Sequence, residues 1–310
     1  MKHIVTGGAG FIGSTLVKEL VKQGHEVVVI DDHSSSGGEL LNENSLKSSV
    51  KTVCGNISYI KTQTGLHEKL LDAFEGVDTV FHLAAKARVQ PSIKEPVHFN
   101  ATNVEGTLNM LEYSRKAKVR RFVFTSSSSI YGNTEIIPTL EDTPTNPLSP
   151  YGLQKLIGEQ YCQLYSRIHN MDTACLRYFN VYGENAPTSG AYCLVIGKFI
   201  QQVREGKNLT IYGKGDQKRD FTYLGDVVNA NILASNYTGQ FSGEAFNIGN
   251  GDNRTVQQIA DVFKTPCDYL PERLEPKETL ACNKKAKKVL GWKPTGDVLK
   301  WLEGYLPTIL

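Results

Sequence analysis

The chain has 310 residues, 40% of them hydrophobic and 21% charged, with 34 basic against 32 acidic side chains and a net charge of +2. That balance is ordinary for a globular protein and excludes a global bias toward nucleic acid or anionic membrane, while the length predicts one large and one small domain. Six scattered cysteines form no C-x-x-C pair, so idle thiols in a reducing cytoplasm are expected, with no disulfide and no metal site.

A strand is expected almost from Met1, leaving no room for a signal peptide, and no apolar run approaches membrane-spanning length. This first stretch, His3-Ile-Val-Thr-Gly-Gly-Ala-Gly-Phe-Ile-Gly-Ser14, carries Gly7, Gly10 and Gly13 between a strand-like and a helix-like run. In a strand-turn-helix unit, glycines so spaced give a tight turn, close approach of a pyrophosphate and close helix-on-strand packing. The helix that begins there aims free N–H groups and a positive dipole end at the phosphates. The next expected strand, Glu26–Asp31, ends in an acid near the spacing at which a carboxylate meets an adenosine ribose. An aspartate accepts from both ribose hydroxyls and repels a 2′-phosphate, which predicts NAD over NADP.

Strand-like and helix-like runs then alternate. After the polar loop Asp32–Gly38 come strands at Val50–Cys54, Asp78–Ala85, Arg121–Ser126 and Thr173–Tyr178, with helices over roughly His98–Lys118 and Tyr151–His169. Unbroken apolar strands alternating with helices predict an α/β fold, a doubly wound parallel sheet of the Rossmann kind. Past Asn180 the pattern weakens: a helix near Leu194–Glu205, a strand at Leu209–Tyr212, a helix at Asp226–Ala234 and a strand at Glu244–Ile248. Thr255-Val-Gln-Gln258 fits a capping box, and the lysines of Lys284–Lys288 read as a solvated helix face. The expected division is 1–180 for the dinucleotide domain, with returns near 222–250, and 181–310 for a smaller, interleaved substrate domain.

Two clusters carry chemistry. Tyr151-Gly-Leu-Gln-Lys155 opens a helix, and positions four apart share a face, so phenol and ammonium can act on one ligand. A free tyrosine titrates near ~10, and a lysine ammonium beside it favours the phenolate. Taken alone the spacing is weak evidence; between the fifth and sixth strands of a dinucleotide-binding sheet it gains weight. Phe124-Thr-Ser-Ser-Ser-Ser-Ile-Tyr-Gly132 lies just past a strand's carboxyl end, where open α/β sheets bind ligands.

These motifs, with His82-Leu-Ala-Ala85, Asn103-Val-Glu-Gly-Thr107, Leu176–Gly183, Arg219-Asp-Phe221 and Leu290-Gly-Trp-Lys-Pro294, resemble an extended short-chain dehydrogenase/reductase. More narrowly the chain is similar to the nucleotide-sugar epimerase/dehydratase family, and to its UDP-glucose 4-epimerase-like members. The resemblance implies a homodimer that acts on a UDP-hexose with NAD. It implies Ser127, Tyr151 and Lys155 as the catalytic set. It places Gly7, Gly10, Phe11, Ile12, Gly13, Asp31, Asp32, Ser36, Asn56, Ile57, Leu83, Ala84, Ala85, Lys86, Asn103 and Tyr178 at the cofactor, together with Tyr151 and Lys155. Lys86, Ser127, Asn180, Arg219 and Arg273 are implied for the substrate, Arg219 and Arg273 gripping its diphosphate.

Two departures stand out. Asn56 occupies a place often held by aspartate near the adenine, and Cys282 one where an acid usually meets a ribose; Ser58–Gly65 resembles a small insertion. The implied reaction is inversion at C4 of UDP-glucose or UDP-galactose, their N-acetyl forms or the uronic acid, through a transient 4-keto sugar. Its rivals are a dehydratase or decarboxylase of the same family and, from another class, a non-catalytic NAD-binding sensor. Intact Ser127, Tyr151 and Lys155 weigh against the sensor. Related dehydratases carry Asp-Glu where this chain has Ser128 and Ser129.

Overall fold

The computed structural model of the protein describes residues 1–34, 49–188 and 193–310. Six strands, β1 (Lys2–Thr6), β2 (Glu26–Asp31), β3 (Val50–Cys54), β4 (Thr79–His82), β5 (Arg121–Ser127) and β6 (Asp172–Tyr178), join Glu244–Ile248 in one seven-stranded sheet. Every pairing in it is parallel, in the order Glu244–Ile248, β6, β5, β4, β1, β2, β3. The doubly wound parallel sheet is thus observed.

Alternation along the strands builds a core on each face. Val5, Val27, Val29, Phe81, Val123 and Phe246 pack on one side, beneath the helices Phe11–Lys22 and Leu224–Asn236. Ile4, Val28, Ile30, Val80, Phe122 and Phe124 pack on the other. Trp292, fully buried in the first core, donates its indole N–H to the Asp226 carbonyl. That contact fastens the chain's late segment onto the helix Leu224–Asn236. A third, smaller core joins Phe199, Leu209, Ile211, Phe221, Ile259 and Leu302, all from the second half.

Two details differ from the sequence expectation. β4 stops at His82 because the chain turns away there: the Leu83 and Ala84 amides donate to the Thr6 carbonyl and hydroxyl. The helix after it is interrupted by a wider π-type stretch at Ala101–Gly106, between Pro96–Asn100 and Thr107–Lys116. Such widening lets a side chain leave the helix to serve its neighbours, and here Asn103 does so. The insertion-like Ser58–Gly65 segment buries Ile60 in the second core, and its Gln63 amide bonds both the N–H and the C=O of Asn56.

The helix Pro150–His169 lies unusually close to β5. A Cβ at Gly158 would sit 2.3 Å from the Phe124 ring, so only glycine permits this approach. Ser149 caps the helix by accepting the Gly152 N–H, with Pro150 in the first turn. The expected box at Thr255 is present, Thr255 and Gln258 exchanging both bonds.

Candidate active site

A cavity of about 1040 Å³ runs along the carboxyl ends of the strands, from the glycine turn to Arg273. At the turn end, the Gly7 amide donates to the Ile30 carbonyl (2.8 Å). Gly13 must be glycine, since a Cβ there would meet the Gly7 carbonyl oxygen at 2.1 Å. The Asp31 carboxylate accepts from the Ala9 and His33 amides at 2.9 and 2.8 Å and faces the cavity. No side chain caps the helix Phe11–Lys22 and no acid stands in its first turn. A Cβ at Gly10 would meet only the Gly7 oxygen, at 3.3 Å, within this lining. Bare helix N–H groups, a cradle without side chains and a fixed carboxylate fit a dinucleotide such as NAD.

In the middle stand Tyr151 and Lys155, four apart on one helix, with Glu159 four further on and buried outside the lining. Ser92 Oγ accepts the Tyr151 amide N–H (3.2 Å), docking the helix Val89–Lys94 against it. The Ser127 hydroxyl donates to Ser129 Oγ and accepts the Ser129 amide, both at 3.1 Å. Burial pushes the Tyr151 phenol up, while the Ser127 hydroxyl beside it and the Arg88 guanidinium pull it down. Arg88, which the sequence reading does not name, is a cation close to Tyr151. Lys155 donates to the Thr125 carbonyl (2.8 Å) and lies 5.0 Å from the centroid of the Phe124 ring.

Burial brings Lys155 from its ordinary 10.5 down to about 7. Between those values the unfolded chain holds the extra proton, so stability rises as pH goes from about 7 toward about 10. Lys155→Met should flatten that slope in chemical denaturation without added nucleotide; an unchanged slope would assign it to another group.

At the far end, the Arg219 guanidinium pairs with Glu275 (3.0 Å) and donates to the Lys218 carbonyl (2.9 Å). Arg273 stacks on Tyr212, 3.2 Å from the ring centroid. Asn180 donates to the Asp220 carbonyl (3.1 Å), and Asp220 in turn accepts three backbone N–H bonds, from Asn250, Gly251 and Ala281.

Of the residues expected at the ligands, all but two line the cavity. Ser36 lies outside the described residues. Asn103 is a correction: it is buried away from the lining, its amide spent on both backbone groups of Lys86 and on Gln154. It therefore positions the Lys86 segment from behind. Asn56 does reach the lining, where its amide donates to Asp32 (2.9 Å). Cys282 is buried outside the lining, whereas Glu275, unremarked in the sequence, is the acid facing the cavity beside Arg219. Glu159 was also overlooked, although its spacing of eight from Tyr151 was there to read.

The profile of the NAD dependent epimerase/dehydratase family matches residues 3–249. A UDP-glucose 4-epimerase from Mycolicibacterium smegmatis is 36% identical over 302 residues, 95% of this chain and 94% of that one. A UDP-N-acetyl-alpha-D-glucosaminuronate decarboxylase from Bacillus cytotoxicus is 33% identical over 83% of this chain and 77% of its own length. The crystal structure of UDP-glucose 4-epimerase from Thermotoga maritima with UDP-glucose superposes with a TM-score of 0.88 at 33% identity, covering 99% of both chains. That of UDP-glucuronic acid 4-epimerase from Bacillus cereus with UDP-glucuronic acid and NAD gives 0.86 at 30% identity, covering both chains fully.

Proposed function

Because the chain belongs to the NAD dependent epimerase/dehydratase family, we propose that it is an NAD-dependent epimerase inverting C4 of a UDP-linked hexose. One observation carries the reading: Ser127, Tyr151 and Lys155 stand in the middle of a cavity with Asp31 at one end and Arg219 at the other. NAD held against Gly7–Gly13 and Asp31 would supply an acceptor that takes the C4 hydride and gives it back. Tyr151 takes the proton from the 4-hydroxyl, and Ser127 donates a hydrogen bond to the oxygen as it becomes a carbonyl. Lys155, Tyr178 and the backbone of Leu83–Lys86 wall the cofactor side. Arg219 and Arg273 anchor the diphosphate, so the sugar itself is held loosely enough to turn its other face.

Elimination of water from a 4-keto sugar needs a base and an acid next to the reacting carbons. Ser128 and Ser129 supply neither near neutrality. Decarboxylation remains the second reading, favoured by the Bacillus cytotoxicus relative. Incubation with UDP-glucose, UDP-N-acetylglucosamine and UDP-glucuronic acid, followed by NMR and mass analysis, tests the choice. Isomers of unchanged mass are expected; a product lighter by water or carbon dioxide would overturn the epimerase.

Arg219→Ala should raise KM by about tenfold or more, since a charge-assisted contact contributes roughly 1.5–3 kcal/mol. An unchanged KM would move the diphosphate to another site. We also propose a smaller substrate domain over 181–310 and a cytoplasmic location, which suits six free thiols. A homodimer through the helices near Glu105–Lys118 and Gly152–His169 is part of the same proposal, supported by exposed Leu153.

A further inference from the structure

Arg88 lines the cavity but makes no hydrogen bond in the reaction as described. Its backbone has φ 99° and ψ 140°, a conformation side-chain-bearing residues adopt only under constraint. The constraint is visible on both sides. Asn103 clamps Lys86 by both backbone groups, and four residues after Arg88 the Ser92 hydroxyl holds the Tyr151 amide. Glycine would meet this backbone requirement at no steric cost, so the guanidinium needs its own reason.

Nη1 of Arg88 is buried without a hydrogen-bond partner, and no acidic side chain among the described residues pairs with the guanidinium. The side chain lines the cavity along with Ser127 and Tyr151, and also with Arg273 and Glu275. Burial lowers its pKa and the neighbouring Arg273 adds to that, while Cys193, Glu275 and Tyr151 act against it. A desolvated, unpaired cation is costly and is retained where a ligand supplies the missing charge. Arg219 and Arg273 already stand at the diphosphate end.

We propose that Arg88 receives a carboxylate carried by the sugar, which makes the substrate class of this chain an acidic UDP-hexose. The proposal rests on the epimerase reading and narrows it. The acid could be the C6 carboxylate of a uronate or an ether-linked acid at C3; both present the same planar anion to the guanidinium fork.

Arg88→Gly tests it, because glycine accepts the backbone angles while the whole side chain, cation included, is removed; thermal melting checks that this variant folds. Calorimetric affinities for UDP, UDP-glucose, UDP-glucuronic acid and UDP-N-acetylmuramic acid are measured on both proteins with NAD present. The parent protein should bind one acidic sugar about tenfold or more tighter than UDP-glucose. Arg88→Gly should remove that preference while holding UDP and UDP-glucose within about twofold. Preference for the uronate places the carboxylate at C6, and preference for the muramic acid places it at C3. No acidic preference in the parent, an acidic preference untouched by the substitution, or an equal loss for UDP would overturn the proposal, the last returning Arg88 to the diphosphate. Failure of the epimerase reading is distinct: no sugar of the set would be isomerised, yet the binding preference would persist.

Discussion

Tyr151→Phe is expected to lower turnover by about 10²–10⁴-fold, the usual contribution of a positioned acid–base group. The substitution removes one oxygen and leaves the ring that walls the cavity. The local scaffold does not depend on the phenol: the Tyr151 backbone is held by Ser92, and the helix start by the Ser149 cap and Pro150. Affinity for NAD and for UDP-sugars should therefore stay within about twofold. Steady-state kinetics and calorimetry on the same preparation separate the two effects. A turnover loss below about tenfold would place the proton with another group. A parallel loss of binding would mean that the hydroxyl anchors ligand instead of moving the proton.

The largest stability effect is expected about two turns further along the same helix. Glu159 and Arg177 are both buried and joined by two bonds, Nε to Oε1 at 2.9 Å and Nη2 to Oε2 at 2.7 Å. Ser126 also donates to Glu159, and Arg177 donates onward to the Tyr131 hydroxyl and the Glu141 carbonyl. Tyr131 in turn donates its hydroxyl to Asn247 Oδ1 (2.6 Å), so the network links β5, β6, the long helix and Glu244–Ile248. Glu159→Leu would strand the guanidinium in the core, at a cost of roughly 3–5 kcal/mol. Adding Arg177→Met removes the stranded charge and should recover much of that loss. Denaturant unfolding of the two single variants and the double variant measures the coupling. Additive losses would mean that the pair does not act as a unit.

Much of the sheet was legible because a strand covered on both faces must be apolar at every position, as Val27–Ile30 are. The glycine turn, Asp31 and the Thr255 box could be read for a similar reason, each being a local solution to a local backbone need. Arg88 could not be read that way. Its strained backbone is imposed by Asn103 and Ser92, and neither clamp leaves a mark in the run Lys86–Val89. Lys155 shows a second limit: four-residue spacing puts it on the face of Tyr151, but packing against Phe124 decides where its ammonium points. The pairs Val181–Tyr182 with Thr222–Tyr223 and Lys218–Asp220 with Asn253–Thr255 are too short for any periodicity to register. Glu275, the acid beside Arg219, could not be picked out because it lies on a stretch without regular pattern.

The place of Glu244–Ile248 in the sheet has a consequence for synthesis. β6 is finished when Tyr178 leaves the ribosome, yet its outer neighbour has still to be made. At about 5–20 residues per second, β6 waits for seconds with a row of unpaired backbone groups on its outer edge. During that interval the nascent chain presents a sticky margin on which another chain could add. A chain ended by mutation at residue 180 would keep that margin for good, would lack the helix Leu224–Asn236 over one face of the sheet, and should collect in the insoluble fraction.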